Sequence, residues 1–173
     1  YIPERANIGD DLAVRTTPRV IGGNDEISRT RAFDLYSRFI DAELMLMHSV
    51  KEAEAVKMVE NAFRAINIAF VNELAMAFDK AGIDIQNVLR GAATKPSGFM
   101  PHYPGIGVGG RFTPVDVYYL IRHGHRSNFD HRFIKTARKI NSSMPSYALQ
   151  VLSDAFESKR RSLRNSTVAL LGL

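Results

Sequence analysis

Val50-Lys-Glu-Ala-Glu-Ala-Val-Lys-Met-Val-Glu-Asn-Ala-Phe-Arg-Ala-Ile-Asn-Ile-Ala-Phe-Val-Asn-Glu-Leu-Ala-Met-Ala-Phe-Asp-Lys-Ala81 is the run of residues that decides the fold. Val56, Val59, Phe63, Ile66, Phe70, Leu74 and Phe78 recur in it at spacings of three or four, which places them on one face of an α-helix. A second face carries Met58, Ala62, Ala65, Ala69 and Met76, mostly small residues that let another helix approach closely. At 1.5 Å per residue this helix is roughly 45 Å long. Two apolar faces require burial on both sides. The helix is then either an ordinary central core helix, or one that packs on its own subunit with one face and on a partner copy with the other. Lys57 and Asn61 lie four apart and share a face between the apolar ones. A lysine at that depth is costly unless it serves an anion or oxyanion, or is neutralised by a plain salt bridge to a carboxylate such as Asp116.

Upstream, residues 1–18 read as irregular, broken by Pro3, Gly9 and Pro18. Arg19-Val-Ile-Gly-Gly23 reads as a short strand running into a glycine turn. Asn24-Asp25-Glu26 reads as the start of a helix over about 26–40, and Glu43–His48 as a second strand. Downstream, Gly82 ends the long helix and Ile83-Asp84-Ile85 opens another, running to about Ala93. Four of the seven prolines and five of the twelve glycines then fall within 96–114, too dense for regular structure. The apolar content of this loop (Phe99, Met100, Tyr103, Val108, Phe112) points to an ordered, functional segment. Further helices are expected over 115–123, 131–142 and 145–160. The last two are separated by a break at Asn141-Ser-Ser-Met-Pro145, which offers a fresh N-cap and a proline start. Ser166–Leu173 reads as a buried strand. Such a strand needs neighbours on both sides, so the chain is expected to be an internal segment of a longer protein.

Composition narrows the function. The chain has 173 residues, 45% apolar and 24% charged, in the ordinary globular range. No apolar run reaches the ~18–20 residues of a membrane span, so no membrane association is expected. Cysteine is absent, which excludes disulfides, zinc–thiolate sites and a thiol nucleophile. The net charge of +5 is compatible with an anionic ligand. Nucleic acid is not expected, because acidic residues are spread through the chain and no basic stripe with interleaved aromatics is evident. The run Lys159–Arg164 reads as a solvated helix end. His123-Gly-His125 lacks the helical spacing and carboxylates of a metal site, so no metal is expected. Gly105-Ile-Gly-Val-Gly-Gly110 is either an anion-binding loop or a structural turn. It is neither a Walker loop nor a clean dinucleotide fingerprint.

Taken together, these residues resemble one family. Lys57–Ala69, with Asn72-Glu73 and Gly82-Ile-Asp84, is similar to the central helix of the UDP-glucose/GDP-mannose dehydrogenases. Ala93–Gly110 is similar to the loop of their bacterial UDP-N-acetylhexosamine 6-dehydrogenase branch, and Tyr1-Ile-Pro-Glu-Arg5 with Gly9-Asp10, and Ser143-Met-Pro-Ser-Tyr147, also fit. The resemblance runs the length of the chain. It implies a mainly α segment of an α/β protein: 1–49 as the C-terminal part of an NAD-binding Rossmann domain, 50–160 as a helical dimerisation and catalytic domain, and 161–173 as the opening strand of a UDP-binding domain. It further implies a cytoplasmic homodimer, joined through the central helix, that takes a UDP-sugar and NAD and oxidises the sugar C6 alcohol to a carboxylate through a cysteine-bound thioester. The NAD-binding GxGxxG fingerprint is not in this chain.

The resemblance also implies site roles. Lys57 and Asn61 would stabilise the developing oxyanion, Asp116 would position the base or water, and Glu4 would serve the hydrolytic half. Phe99, Gly107, Val108, Gly109 and Gly110 would line the substrate. The nucleophile departs from the pattern. Where the family has Gly-Gly-His-Cys-Ile-Pro-Val-Asp-Pro-Tyr-Tyr-Leu, this chain reads Gly109-Gly-Arg-Phe-Thr-Pro-Val-Asp-Val-Tyr-Tyr-Leu120. Phe112 holds the cysteine position and has no nucleophilic atom. The chain as written is therefore expected to be inactive. The other reading is a catalytically inactive module for dimerisation and nucleotide-sugar binding.

Overall fold

The computed structural model describes residues 1–5, 11–110 and 113–171. Arg111 and Phe112, the latter at the expected nucleophile position, lie outside the described residues, as do 172–173. The described chain runs α1 (Asp11–Thr16), β1 (Arg19–Ile21), α2 (Glu26–Tyr36), β2 (Leu44–Leu46), α3 (Val50–Lys80), α4 (Ile85–Ala92), α5 (Thr113–Arg126) and α6 (Arg132–Ser158). It is mainly helical with one long helix, as the sequence predicts, and its two short strands form a small parallel sheet. It divides into two compact units, Tyr1–Phe63 and Arg64–Leu173, with the division inside α3.

In the first unit β1 and β2 pair in parallel, with Val20 opposite Met45. Val20 and Ile21 are buried, as are Ile40 and Ala53. Gly22 ends β1 against the start of α3. A Cβ there would lie 2.7 Å from both Ala53 Cβ and the Ser49 carbonyl, so glycine is what allows the approach. Asp25 caps α2 by accepting from the Ser28 amide at 2.6 Å. The segment expected to be irregular contains α1, a short helix that the breakers at Gly9 and Pro18 bracket rather than prevent.

In the second unit Ala65 packs with Val117 and Ile121, and Ile134 covers them. Ala69, Val71, Leu89, Ala137 and Met144 are also buried. Asp84 opens α4 by accepting from the Gln86 amide at 2.8 Å and the Asn87 amide at 3.4 Å. The stretch between α4 and α5 carries no regular element through Gly110, as the glycines and prolines predict.

Two expectations fail here. The helix expected to break at Asn141–Pro145 is one continuous helix with Pro145 inside it. The missing proline amide leaves the Asn141 carbonyl without its usual helical partner, and Asn141 and Met144 are buried nonetheless. Packing of this turn outweighs the local breaker. The strand expected over 166–173 is not formed either: residues 164–165 make a turn and 166–171 carry no regular element. A strand needs hydrogen-bonded neighbours, and none lies beside it among the described residues.

The two faces of α3 behave differently. The small face is buried at Ala62, Ala65 and Ala69, with Met58 and Met76 half-buried. The large apolar face is open, with Val59 62%, Phe63 47% and Phe70 53% exposed. The helix is therefore not an ordinary core helix closed on all sides by this chain.

Candidate functional site

The first unit places Glu4, Lys57 and Asn61. The Lys57 ammonium donates to the Glu4 main-chain carbonyl, and this contact fixes where the cation sits. Arg5 anchors the same segment through Glu60, 2.7 Å from its Nε, and through the Pro18 carbonyl at 3.0 Å. The Glu4 carboxylate is held by the Arg5 amide and the Arg19 guanidinium, each at 2.9 Å. Arg19 is only 5% exposed and Glu4 66% at the side chain, so the pair leads from the interior of this unit to its surface. Asn61 is buried one turn beyond Lys57.

The second unit places the glycine loop and Asp116. Asp116 is buried in the first turn of α5, where the helix dipole favours a negative charge. Gly107 and Val108 border a cavity of about 210 Å³ with Ala65, Val117, Arg138 and Asn141. Gly109 and Gly110 are exposed, and among the described residues a Cβ on either would meet nothing within 4 Å. Phe99 is half-buried and outside that cavity. Arg138 stands 5.6 Å over the Tyr118 ring and makes no ion pair among the described residues.

Two residues that the sequence analysis did not assign to the site hold the loop. The Gly105 amide donates to Asn72 Oδ1 at 2.9 Å. Asn72 Nδ2 donates to Asn141 Oδ1 at 3.0 Å, and Asn141 Nδ2 to the Ala65 carbonyl at 2.8 Å. Asn141, expected in a break between two helices, is thus a buried member of a polar chain. The signal was present: the small face Ala62, Ala65, Ala69 continues at helical spacing onto Asn72. A polar residue on a buried stripe requires a partner. Further along α6, the Tyr147 hydroxyl donates to Asp79 Oδ2 at 2.7 Å, and this bond pushes its pKa up to about 12.

A family model described as the UDP-glucose/GDP-mannose dehydrogenase family, central domain, matches residues 51–143, more than half of the chain. The chain belongs to this family. It is 37% identical, over its whole length, to UDP-N-acetyl-D-glucosamine 6-dehydrogenase of Pseudomonas aeruginosa, of which it covers 41%. It is 36% identical over 90% of its length to UDP-N-acetyl-D-mannosamine dehydrogenase of Pyrococcus horikoshii, of which it covers 36%. The solved UDP-D-ManNAc dehydrogenase from Pyrococcus horikoshii superposes with a TM-score of 0.84 at 34% identity, over 92% of this chain and 37% of that one. The chain thus spans about two-fifths of the length of these relatives.

The family implies a dinucleotide, and the turn after β1 is where a strand–glycine–helix unit would hold a pyrophosphate. It does not fit. Arg29 packs against Gly23, its Cγ 2.7 Å from where a Cβ would stand. The amide at the start of α2 is occupied by the Asp25 carboxylate, and Glu26 adds a second negative charge. Among the described residues no group of three or more His, Cys, Asp or Glu could hold a metal ion, and no helix is long and apolar enough to cross a membrane.

Proposed function

We propose that this chain is a segment of a cytoplasmic, NAD-dependent UDP-sugar 6-dehydrogenase of the N-acetylhexosamine type, serving polysaccharide synthesis, in which Phe112 replaces the nucleophilic cysteine. In this reading 1–49 ends the NAD-binding domain, 50–160 is the helical catalytic domain and 161–173 opens the UDP-binding domain. The GxGxxG fingerprint that would bind NAD is not in this chain. The observation that carries the reading is the loop Gly105–Gly110, held on buried Asn72 and leading to Asp116 in the first turn of α5. A loop of this kind offers main-chain donors without side chains in the way, as recognition of a polar sugar nucleotide demands.

The resemblance to the family suggests the role of each residue. Lys57, steadied on the Glu4 carbonyl, supplies a cation for a developing oxyanion, and Asn61 a neutral donor. Asp116 positions a base or water, and Glu4 serves hydrolysis. Gly107, Val108, Gly109, Gly110 and Phe99 line the sugar nucleotide. Two copies pair through the open face of α3, a reading supported by the exposed Val59, Phe63 and Phe70.

Absence of any cysteine in the chain favours the second reading for the protein as it stands: nucleotide-sugar binding and pairing without turnover. One assay addresses both. In the parent protein, UDP-N-acetylglucosamine should bind without NADH formation, and Phe112→Cys should gain NADH formation with two NADH per sugar. Binding without any gain on Phe112→Cys leaves only the inactive module. No binding by either protein refutes the proposal.

A further inference from the structure

We propose that Asn72 and Asn141 are positioning residues that set the register of the glycine loop Gly105–Gly110; the functional part of this inference rests on the reading above. The direction of the relay is forced at both ends. The Ala65 carbonyl can only accept, so Asn141 must turn its NH2 toward it and its oxygen toward Asn72. Asn72 must then present its NH2 to Asn141, which leaves its oxygen for the loop. The Gly105 amide can only donate and meets that oxygen. One orientation of each amide satisfies all four groups, and neither can flip without breaking two bonds.

A second contact pins the loop two residues on. Pro145 releases the Asn141 main-chain carbonyl, and Gly107 lies against that oxygen so closely that a Cβ would come within 2.7 Å of it. Asn141 therefore touches the loop twice, through its side chain by way of Asn72 and through its own carbonyl. Gly105, Gly107, Gly109 and Gly110 have no side chains with which to anchor themselves, so these main-chain contacts define where the loop sits. A Leu pair would fill the same space without burying amides. The amides add a fixed loop register, which packing alone would leave free.

Asn141→Asp tests this at nearly constant volume. Protonated, the new carboxyl donates to the Ala65 carbonyl and accepts from Asn72, reproducing the asparagine. Ionised, it sets two acceptors against each other and breaks the relay. Burial favours the protonated form and Arg138, which borders the same cavity, favours the ionised one; in either case the relay is lost as pH rises.

The experiment uses the parent protein and reads hydrogen exchange of the Gly105 amide, corrected for intrinsic rate, together with affinity for UDP-N-acetylglucosamine, at about pH 5 and pH 8. Asn141→Asp should match the unaltered protein at pH 5. At pH 8 it should show at least about tenfold faster exchange and tenfold weaker binding, with melting still cooperative. Asn72→Leu, which removes the acceptor outright, should show both losses at both pH values. Unchanged Gly105 protection in Asn72→Leu would overturn the relay. Altered protection with unchanged affinity would overturn its positioning role. If the unaltered protein fails to bind the nucleotide sugar, the function proposed above falls, while the exchange measurement still decides the relay.

Discussion

Alanine scanning of three loop glycines separates close approach from backbone strain. Gly107 has φ +100° and a Cβ would lie 2.7 Å from the Asn141 carbonyl oxygen and 4.0 Å from Met144 Cβ. Gly110 has φ +88° but, among the described residues, nothing within 4 Å of the added carbon, and Gly109 has neither constraint. Holding an L-residue at such a φ costs about 1–3 kcal/mol, so Gly110→Ala should destabilise by that amount. Gly109→Ala should be neutral or stabilising by up to about 1 kcal/mol, because it only restricts the unfolded chain. Gly107→Ala carries the φ cost and a clash besides. Carbon and oxygen must part by roughly 0.6 Å to reach an ordinary contact, and the partner is main chain of α6, which cannot swing aside. Displacing the loop instead pulls Gly105 from Asn72, leaving a buried acceptor unpaired at about 1–3 kcal/mol. The expected total is about 2–6 kcal/mol. Urea unfolding with a common m-value measures all three. Equal losses for Gly107→Ala and Gly110→Ala would show that the carbonyl does not crowd Gly107, and the account of Pro145 would fall with it.

Other perturbations follow from single contacts. The Tyr147 hydroxyl is harder to ionise in the folded protein, its pKa moving from 10.0 to about 12. Its contribution is therefore complete below pH 10 and lost as pH rises through about 12. Thermal stability of the unaltered protein should fall more steeply across that window than that of Tyr147→Phe. At neutral pH the substitution should cost about 0.5–1 kcal/mol, after allowing for solvent screening. Asp84→Ala removes the acceptor for two amides at the start of α4 and should cost about 1 kcal/mol in denaturant titration, with Asp84→Asn recovering most of it. Phe63→Ser with Phe70→Ser, on the exposed face of α3, should convert the proposed dimer to monomer in sedimentation velocity. A dimer that survives would place the pairing surface elsewhere.

Much of this architecture is legible in the sequence because it rests on local signals. The period of the apolar residues fixes α3, Asp25 and Asp84 mark helix starts, and the density of glycine and proline fixes the loop. What is not legible depends on partners far along the chain. Pro145 carries a strong local signal for a helix start, yet α6 runs through it, because Ala137, Asn141 and Met144 are buried against other parts of the unit. Ser166–Leu171 carries a strong strand signal and forms none, because a strand is defined by its neighbours and a helix by itself. The site divides in the same way. Lys57, Asn61 and Asp116 stand out as polar groups at depth, and the structure buries the last two. Asn72 and Asn141 stand out only once Asn72 is seen to continue the alanine stripe of α3 and Asn141 to lie between Ala137 and Met144 on α6. A polar residue in such a stripe implies an unseen partner, and here two such residues partner each other across 69 positions. That inference needs no knowledge of the chemistry the loop performs. It applies to the loop whatever side chain position 112 carries.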